Sequence, residues 1–262
     1  MNNKIFKLIL CFTLLCLCTP SFGAKWKAKH VVFIGLDGWG AYSVEKANMP
    51  TVKQLMNNGS YTLEKRSVLP SSSAVNWASM FMGAGPELHG YTEWGSKTPE
   101  LPSRELSHYG IFPSIWGVFR DANPEAEIGF FCQWGGLEYL AEMKAMSKEM
   151  HVKAEDDPSG KADKAVATQS CIYIKEKKPA FVGIFFDEPD HTGHKSGHDT
   201  EAYYQKLEEL DGYIAEIVNA VKEAGMWDET IFIVTADHGG INKGHGGKTM
   251  QEMQTPFIIA GK

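Results

Sequence analysis

The run Ile231-Phe232-Ile233-Val234-Thr235-Ala236-Asp237-His238-Gly239-Gly240, followed closely by Gly244-His245-Gly246-Gly247, decides how the chain is read. A β-branched and aromatic run that ends abruptly in Asp-His-Gly-Gly predicts a buried parallel strand delivering an acid and an imidazole to its carboxyl edge. Open α/β sheets hold their sites at that edge. Adjacent residues of an extended strand point to opposite faces, so Asp237 and His238 share one ion only if the chain bends there, and the glycines permit the bend. Taken alone, the stretch fits a capped turn with a satisfied histidine equally well.

Two more apolar runs end in the same way. Val31-Val32-Phe33-Ile34-Gly35-Leu36 leads into Asp37-Gly38, and Pro179-Ala180-Phe181-Val182-Gly183-Ile184-Phe185-Phe186 leads into Asp187-Glu188-Pro189-Asp190-His191-Thr192-Gly193-His194. Pro189 and Gly193 argue against a regular helix, so a loop is expected to bring Asp190 and His194 together. Of the nine histidines, five lie between positions 191 and 245. Carboxylates gathered at one sheet edge repel one another unless protonated or paired with cations, and mixed Asp and His sets suit zinc. Each feature alone has a structural explanation; their recurrence at successive strand ends points to metal.

Working outward, residues 49–59 carry Pro near the start and Gly past the end, which predicts a short helix. Residues 60–69 read as a strand. Pro70-Ser71-Ser72-Ser73-Ala74-Val75-Asn76 then opens a helical apolar pattern that runs to Gly83. Serines before a helix are first of all N-caps, but free N–H groups and the helix dipole at that position also receive anions, which would favour a nucleophilic serine. Residues 83–108 read as loops over the carboxyl edge, 114–122 as a helix and 127–132 as a strand. Residues 133–159, with Glu155-Asp156-Asp157 near the end, read as a surface insertion bordering the site. Residues 161–177 and 200–224 read as helices, the second with Tyr203, Leu207, Leu210, Ile214, Ile217 and Val221 at core spacing. A last short strand is expected at 256–259. Strands alternating with helices predict an α/β fold, a largely parallel central sheet with helices on both faces.

The length of 262 residues and the 43% hydrophobic content suit a single domain. Residues 1–23 carry Lys4 and Lys7, an apolar run from Leu8 to Leu17 and a small-residue end, the pattern of a signal peptide. The expected mature domain, 24–262, contains no later run long enough to span a membrane, so a soluble periplasmic or secreted product is expected. Leu17 before Cys18 speaks against a lipoprotein. Cys132 and Cys171 are left to form one disulfide or none. The formal charge of -6 argues against binding a nucleic-acid polymer, so an anionic substrate needs a local device such as metal ions.

Together, Leu36-Asp37-Gly38, Pro70 to Asn76, Gly83-Ala84-Gly85-Pro86-Glu87-Leu88-His89-Gly90, Asp187 to His194 and Asp237-His238-Gly239 resemble the alkaline phosphatase superfamily, and within it the nucleotide pyrophosphatase and type I phosphodiesterase branch. The resemblance covers nearly all of the mature chain. It implies an alkaline-phosphatase-like fold and a two-zinc site, with Mg or Mn the less suited ions. Asp37, Ser73, Asp237 and His238 match the ligands of one ion, with Ser73 in the nucleophile position; Asp190 and His194 match ligands of the other. His245 takes that ion's third place, as the only histidine after His238. Asn76 matches the amide that binds a nonbridging phosphate oxygen, His89 a structural position, and His191 and His198 outer or rim groups. The implied reaction is hydrolysis of phosphodiester or pyrophosphate bonds, nucleotide-type, through a phosphoserine, on a small phosphoester. Alkaline monoesterases and sulfatases share the architecture. The sulfatase nucleophile is followed by a Pro and Arg context that residues 73–77 lack, and the alkaline monoesterases set an arginine against the phosphate, whereas Arg66, Arg104 and Arg120 fall outside the motifs. An alternative of another class is a noncatalytic metal- or glycan-binding domain. Members of the branch usually continue past the last strand with another helix, so an uncovered sheet face is expected here.

Overall fold

A computed structural model describes residues 28–153 and 162–261. The signal-peptide reading of residues 1–23, the acidic run at 155–157 and the first residue of the helix expected at 161 lie outside the described residues. The strands are β1 His30–Asp37, β2 Gly59–Arg66, β3 Ile128–Cys132, β4 Lys148–His151, β5 Phe181–Pro189, β6 Thr230–Thr235 and β7 Gln254–Gly261. They form one seven-stranded sheet in the order β2-β7-β6-β1-β5-β3-β4. From β4 to β6 every neighbouring pair is parallel. β7 runs antiparallel to β6 and to β2. The largely parallel sheet expected from the alternation of strands and helices is therefore present, with its antiparallel pairings at one side.

The helices are α1 Pro50–Asn57, α2 Ser73–Met82, α3 Pro86–His89, α4 Ile115–Ala122, α5 Ala162–Lys177, α6 Asp190–Ser196, α7 Glu201–Glu223 and α8 Met250–Met253. Side-chain alternation along β1 splits the core in two. Val32, Ile34 and Leu36 pack with the buried stripe of α7, Leu207, Leu210, Ile214 and Ile217, and with residues of α1 and α5. Phe33 faces the other way and joins Trp77 and Phe81 of α2, Trp116 of α4, Phe130 and Phe185. Phe81 meets Phe33 and Phe185 edge-on at 6.2 and 5.2 Å between ring centroids, the arrangement ring quadrupoles favour. Gly35 makes this packing possible, because a Cβ there would collide with the Trp77 ring. On this second face Phe33, Met80, Ile115, Ile233 and Phe257 line an open apolar hollow.

Several expectations need correction. Asp190 and His194 lie on α6, a two-turn helix, and not on a loop. Pro189 occupies the N-cap position, where no helical N–H is lost, and Gly193, a single glycine that a helix tolerates, leaves the space that the His198 ring fills. The i, i+4 spacing of a helix then puts both donors on one face. The segment 133–159 is more than a surface insertion, since β4 within it extends the sheet. The loops at 83–108 contain α3, and β2 ends at Arg66, short of residue 69. Of the two alternatives left open for Cys132 and Cys171, one disulfide or none, the second is found: both are free thiols.

Candidate metal centre

The register Gly35↔Thr235 sets the carboxyl ends of β1 and β6 side by side. Asp37 is the last residue of β1 and Asp237 follows β6 by two, so adjacent parallel strands deliver both carboxylates to one place. Each is oriented by a donor: Trp77 Nε1 donates to Asp37 Oδ2 at 3.1 Å, and the Gly38 N–H donates to Asp237 Oδ1 at 3.1 Å. His238 Nδ1 lies 2.8 Å from the Gly239 carbonyl. A carbonyl only accepts, so Nδ1 carries the proton and Nε2 turns its lone pair inward. That Nε2 lies 3.4 Å from Asp37 Oδ1, 3.4 Å from Asp237 Oδ2 and 3.1 Å from Ser73 Oγ. Ser73 opens α2 behind Ser72 at the N-cap, and its Oγ is 3.4 Å from Asp37 Oδ1.

The second set is built by α6 and the segment after β6. Asp190 Oδ2 is 3.0 Å from His194 Nε2 and 3.8 Å from His245 Nε2. The Nδ1 atoms of these histidines rest on the Lys243 carbonyl at 2.9 Å and the Ser71 carbonyl at 3.0 Å. In the neutral rings both Nε2 atoms therefore present lone pairs, only 3.2 Å apart and beside a carboxylate oxygen, and without a metal a proton on His194 Nε2 is donated to Asp190 instead. Acceptors converging in this way repel unless a cation or proton lies among them. Asp237 Oδ2, moreover, is buried without a hydrogen-bond partner. Imidazole and carboxylate donors of this kind fit a divalent metal. Two groups meet the geometry of metal ligation among the described residues: Asp190, His194 and His245, and Asp37, Asp190 and His238. Asp190 thus lies between the two sets expected from the sequence.

Charge reinforces the demand for cations. Burial, with the charges of Asp237 and Asp190 behind it, pushes the Asp37 carboxyl well above the usual carboxylate range. Burial likewise raises Asp237 to about 8 and lowers His238 to about 3. At Asp190 burial works to raise the value, but hydrogen bonds from His194 and His198 outweigh it and hold the group below its ordinary range. His194 is raised to about 9, chiefly by its bond to Asp190, while burial lowers His245.

Asn76 is placed differently from the ion ligands. Its Oδ1 accepts from Val68 N at 2.7 Å, and its Nδ2 donates to the Pro70 and Ser72 carbonyls at 3.0 Å each, so the amide braces the segment entering α2. His89 is buried and 3.0 Å from Ser79 Oγ, as suits a structural position. His191 is exposed. Sequence reasoning missed the orienting groups: Trp77, Lys65, whose Nζ donates to the Ala236 carbonyl just before Asp237, and Tyr203, whose hydroxyl donates to the Gly38 carbonyl at 2.7 Å and accepts from Gly40 N. Trp77 and Tyr203 carry core-packing periodicity, which conceals a polar task at one end of the ring.

A largely parallel sheet with helices packed on both faces, with mixed Asp and His donors at its carboxyl edge beside a helix-opening serine, defines an alkaline-phosphatase-like α/β domain. The type I phosphodiesterase / nucleotide pyrophosphatase family matches residues 31–245, and the chain belongs to that family. Ectonucleotide pyrophosphatase/phosphodiesterase family member 1 of Mus musculus is 23% identical over 230 residues, covering 84% of this chain and 25% of the relative. The bis(5'-adenosyl)-triphosphatase ENPP4 of Bos taurus is 22% identical over 220 residues, covering 80% and 47%. The chain thus spans a quarter to about half of these relatives' length. Among solved structures, murine ENPP5 in complex with AMP superposes with a TM-score of 0.62 at 20% identity, covering 80% of this chain and 57% of that one. A 2-O GAG sulfatase superposes with a TM-score of 0.70 at 14% identity, covering 90% and 64%. At these identities the two structures establish the fold.

Proposed function

We propose that this chain is the catalytic unit of an exported phosphoesterase that hydrolyses phosphodiester or pyrophosphate bonds, nucleotide-type, at a two-zinc centre with Ser73 as nucleophile. The observation that carries the reading is the convergence of Asp190 Oδ2 with His194 Nε2 and His245 Nε2, three groups that need a shared cation or proton between them, next to a serine hydroxyl within reach of a second such set. Asp37, Ser73, Asp237 and His238 would hold one ion and Asp190, His194 and His245 the other. Bound there, zinc supplies Lewis acidity and lowers the pKa of a coordinated hydroxyl or water. Three aspartates and a Ser73 alkoxide balance two divalent cations, so the centre is neutral before an anionic substrate arrives.

The chain's own part in the reaction is positional. Ser73 Oγ, at the first turn of α2, forms the bond to phosphorus as the bond to the leaving-group oxygen breaks, and the helix dipole favours the phosphoryl charge there. Water then cleaves the phosphoserine and restores the hydroxyl. Asn76 keeps residues 68–72 fixed beneath the nucleophile; the phosphate contact expected of it requires one of its backbone bonds to open. The nucleotide preference draws on the family and on the AMP complex of the murine neighbour. Export rests on the reading of residues 1–23, and no helix among the described residues is long and apolar enough to cross a membrane.

The test is metal analysis of the purified chain together with a substrate panel of aryl phosphate mono- and diesters, a dinucleoside polyphosphate and an aryl sulfate. Two zinc ions per chain and turnover of the diester or pyrophosphate are expected. One ion or none after loading with excess zinc, or turnover confined to the sulfate, overturns the reading.

A further inference from the structure

His198 was expected among the outer groups, yet three segments are shaped around it. Its side chain is 0% exposed. A Cβ at either Gly193 of α6 or Gly240 after β6 would run into the imidazole ring, so both positions leave room for it. The ring also lies 5.5 Å from that of Tyr203, which fixes the Gly38–Gly40 turn, and perpendicular to His194 at 6.0 Å. Its Nδ1 faces the Asn242 carbonyl at 3.2 Å, and its Nε2 faces Asp190 Oδ1 at 3.3 Å. The Asn242 carbonyl already accepts from the His198 backbone N–H at 2.6 Å, and a carboxylate only accepts, so the Asp190 contact is a hydrogen bond in the tautomer that carries its proton on Nε2. The backbone bond ties α6 to the loop that carries His245.

The consequence falls on Asp190, the one carboxylate common to both donor groups. Its Oδ2 turns toward His194 and His245, while its Oδ1 is taken by His198. Left free, a carboxylate in this position can rotate, chelate one ion through both oxygens or swing between the two. We propose that His198 is a positioning residue that holds Asp190 by Oδ1, so that only Oδ2 is offered to the ion shared with His194 and His245. This rests on the two-ion reading above. His198 does not touch the reacting atoms; it sets the affinity of one ion and leaves the other to Asp37, Asp237 and His238. Hydrogen-bond partners of metal ligands commonly alter metal affinity by about 10–100-fold.

The experiment compares the full chain with His198→Leu and His198→Gln. Gln can place an amide N–H near the position of imidazole Nε2; Leu fills the space without a donor. Zn2+ affinity is measured by competition with a chromophoric chelator, and site geometry by the visible absorption of the Co2+-loaded protein. Far-UV circular dichroism reports folding. His198→Leu should lose about 10–100-fold in affinity for one ion, with the other unchanged and the Co2+ spectrum altered, and His198→Gln should recover most of the loss. Two ions bound by His198→Leu as tightly as by the unaltered chain overturn the proposal, as does equal loosening of both ions, or a His198→Gln variant no better than His198→Leu. Should the unaltered chain itself bind fewer than two ions, the two-ion reading falls first and this proposal with it.

Discussion

The set around His238 and the set around His194 are held by different kinds of element. Asp37, Asp237 and His238 come from the ends of two central parallel strands and are buried, with side chains 6%, 0% and 0% exposed. Asp190 and His194 come from a short helix and His245 from a loop, and the His194 side chain is 47% exposed. Strand ends are fixed by ladders on both sides and by packing beneath them, whereas α6 is held by a few contacts such as those of His198. The first set is desolvated throughout; the second reaches water through His194, with Asp190 and His245 side chains only 13% and 9% exposed. If each set holds an ion, the one among Asp37, Asp237 and His238 should be retained more tightly.

The largest expected effect lies in the buried set, at the hydroxyl beside Asp37 and His238. Ser73→Ala should fold and bind metal yet lose at least about a thousandfold in turnover of an activated aryl phosphate diester, because a nucleophile is removed while its surroundings remain. Retention of most turnover, or a phosphorylated intermediate at another residue, would remove the role given to Ser73. Next in size is His245→Ala, which removes a ligand of the second set only. Metal titration should find one ion weakened by more than about a hundredfold and the other little changed. Equal weakening of both would mean that the sets act as one unit.

Metal removal sharpens the contrast through pH. Asp237 is raised to about 8 and His194 to about 9, so both bind protons in the folded metal-free chain that the unfolded chain has released. Stability of the metal-free protein should therefore fall as pH rises from about 6.5 to about 8, since the unfolded values lie near 3.9 and 6.5. Metal-loaded protein should lack this slope, because the ions supply the charge that protons otherwise provide. Thermal melts across that window, with and without metal, decide it; parallel slopes would count against a cation-dependent core.

Smallest are the neighbours of the nucleophile. Ser71 Oγ donates to the Gly247 carbonyl at 2.6 Å, and Ser72 Oγ is buried without a partner. Ser71→Ala should cost about 0.5–1.5 kcal/mol of stability for one lost hydrogen bond, and Ser72→Ala less, with turnover largely kept in both. A collapse of turnover in either variant would move the nucleophile away from Ser73.

The apolar runs that end in Asp37, Asp187 and Asp237 are legible without coordinates because a buried parallel strand must be apolar on both faces and must stop where polar residues begin. That rule identified β1, β5 and β6, and with them the edge at which the donors collect; the stripe from Tyr203 to Val221 identified α7 by the same logic of one buried face. Sequence similarity supplied the expected ligand sets. The tertiary structure alone decided the rest. Pro189 and Gly193 argued for a loop by propensity, but the N-cap tolerates proline and a helix tolerates one glycine, here at a position where the His198 ring leaves no room for a Cβ. Asn76 carries an amide three residues beyond Ser73, yet that amide braces residues 68–72, because whether a polar group faces a cleft or a backbone depends on which chain packs against it. The place of Asp190 between two sets, and of His198 behind it, depends on contacts between α6 and a loop more than forty positions away. Local pattern fixes which face of an element is buried; which polar atoms meet there is set by the register and approach of segments far apart in the chain.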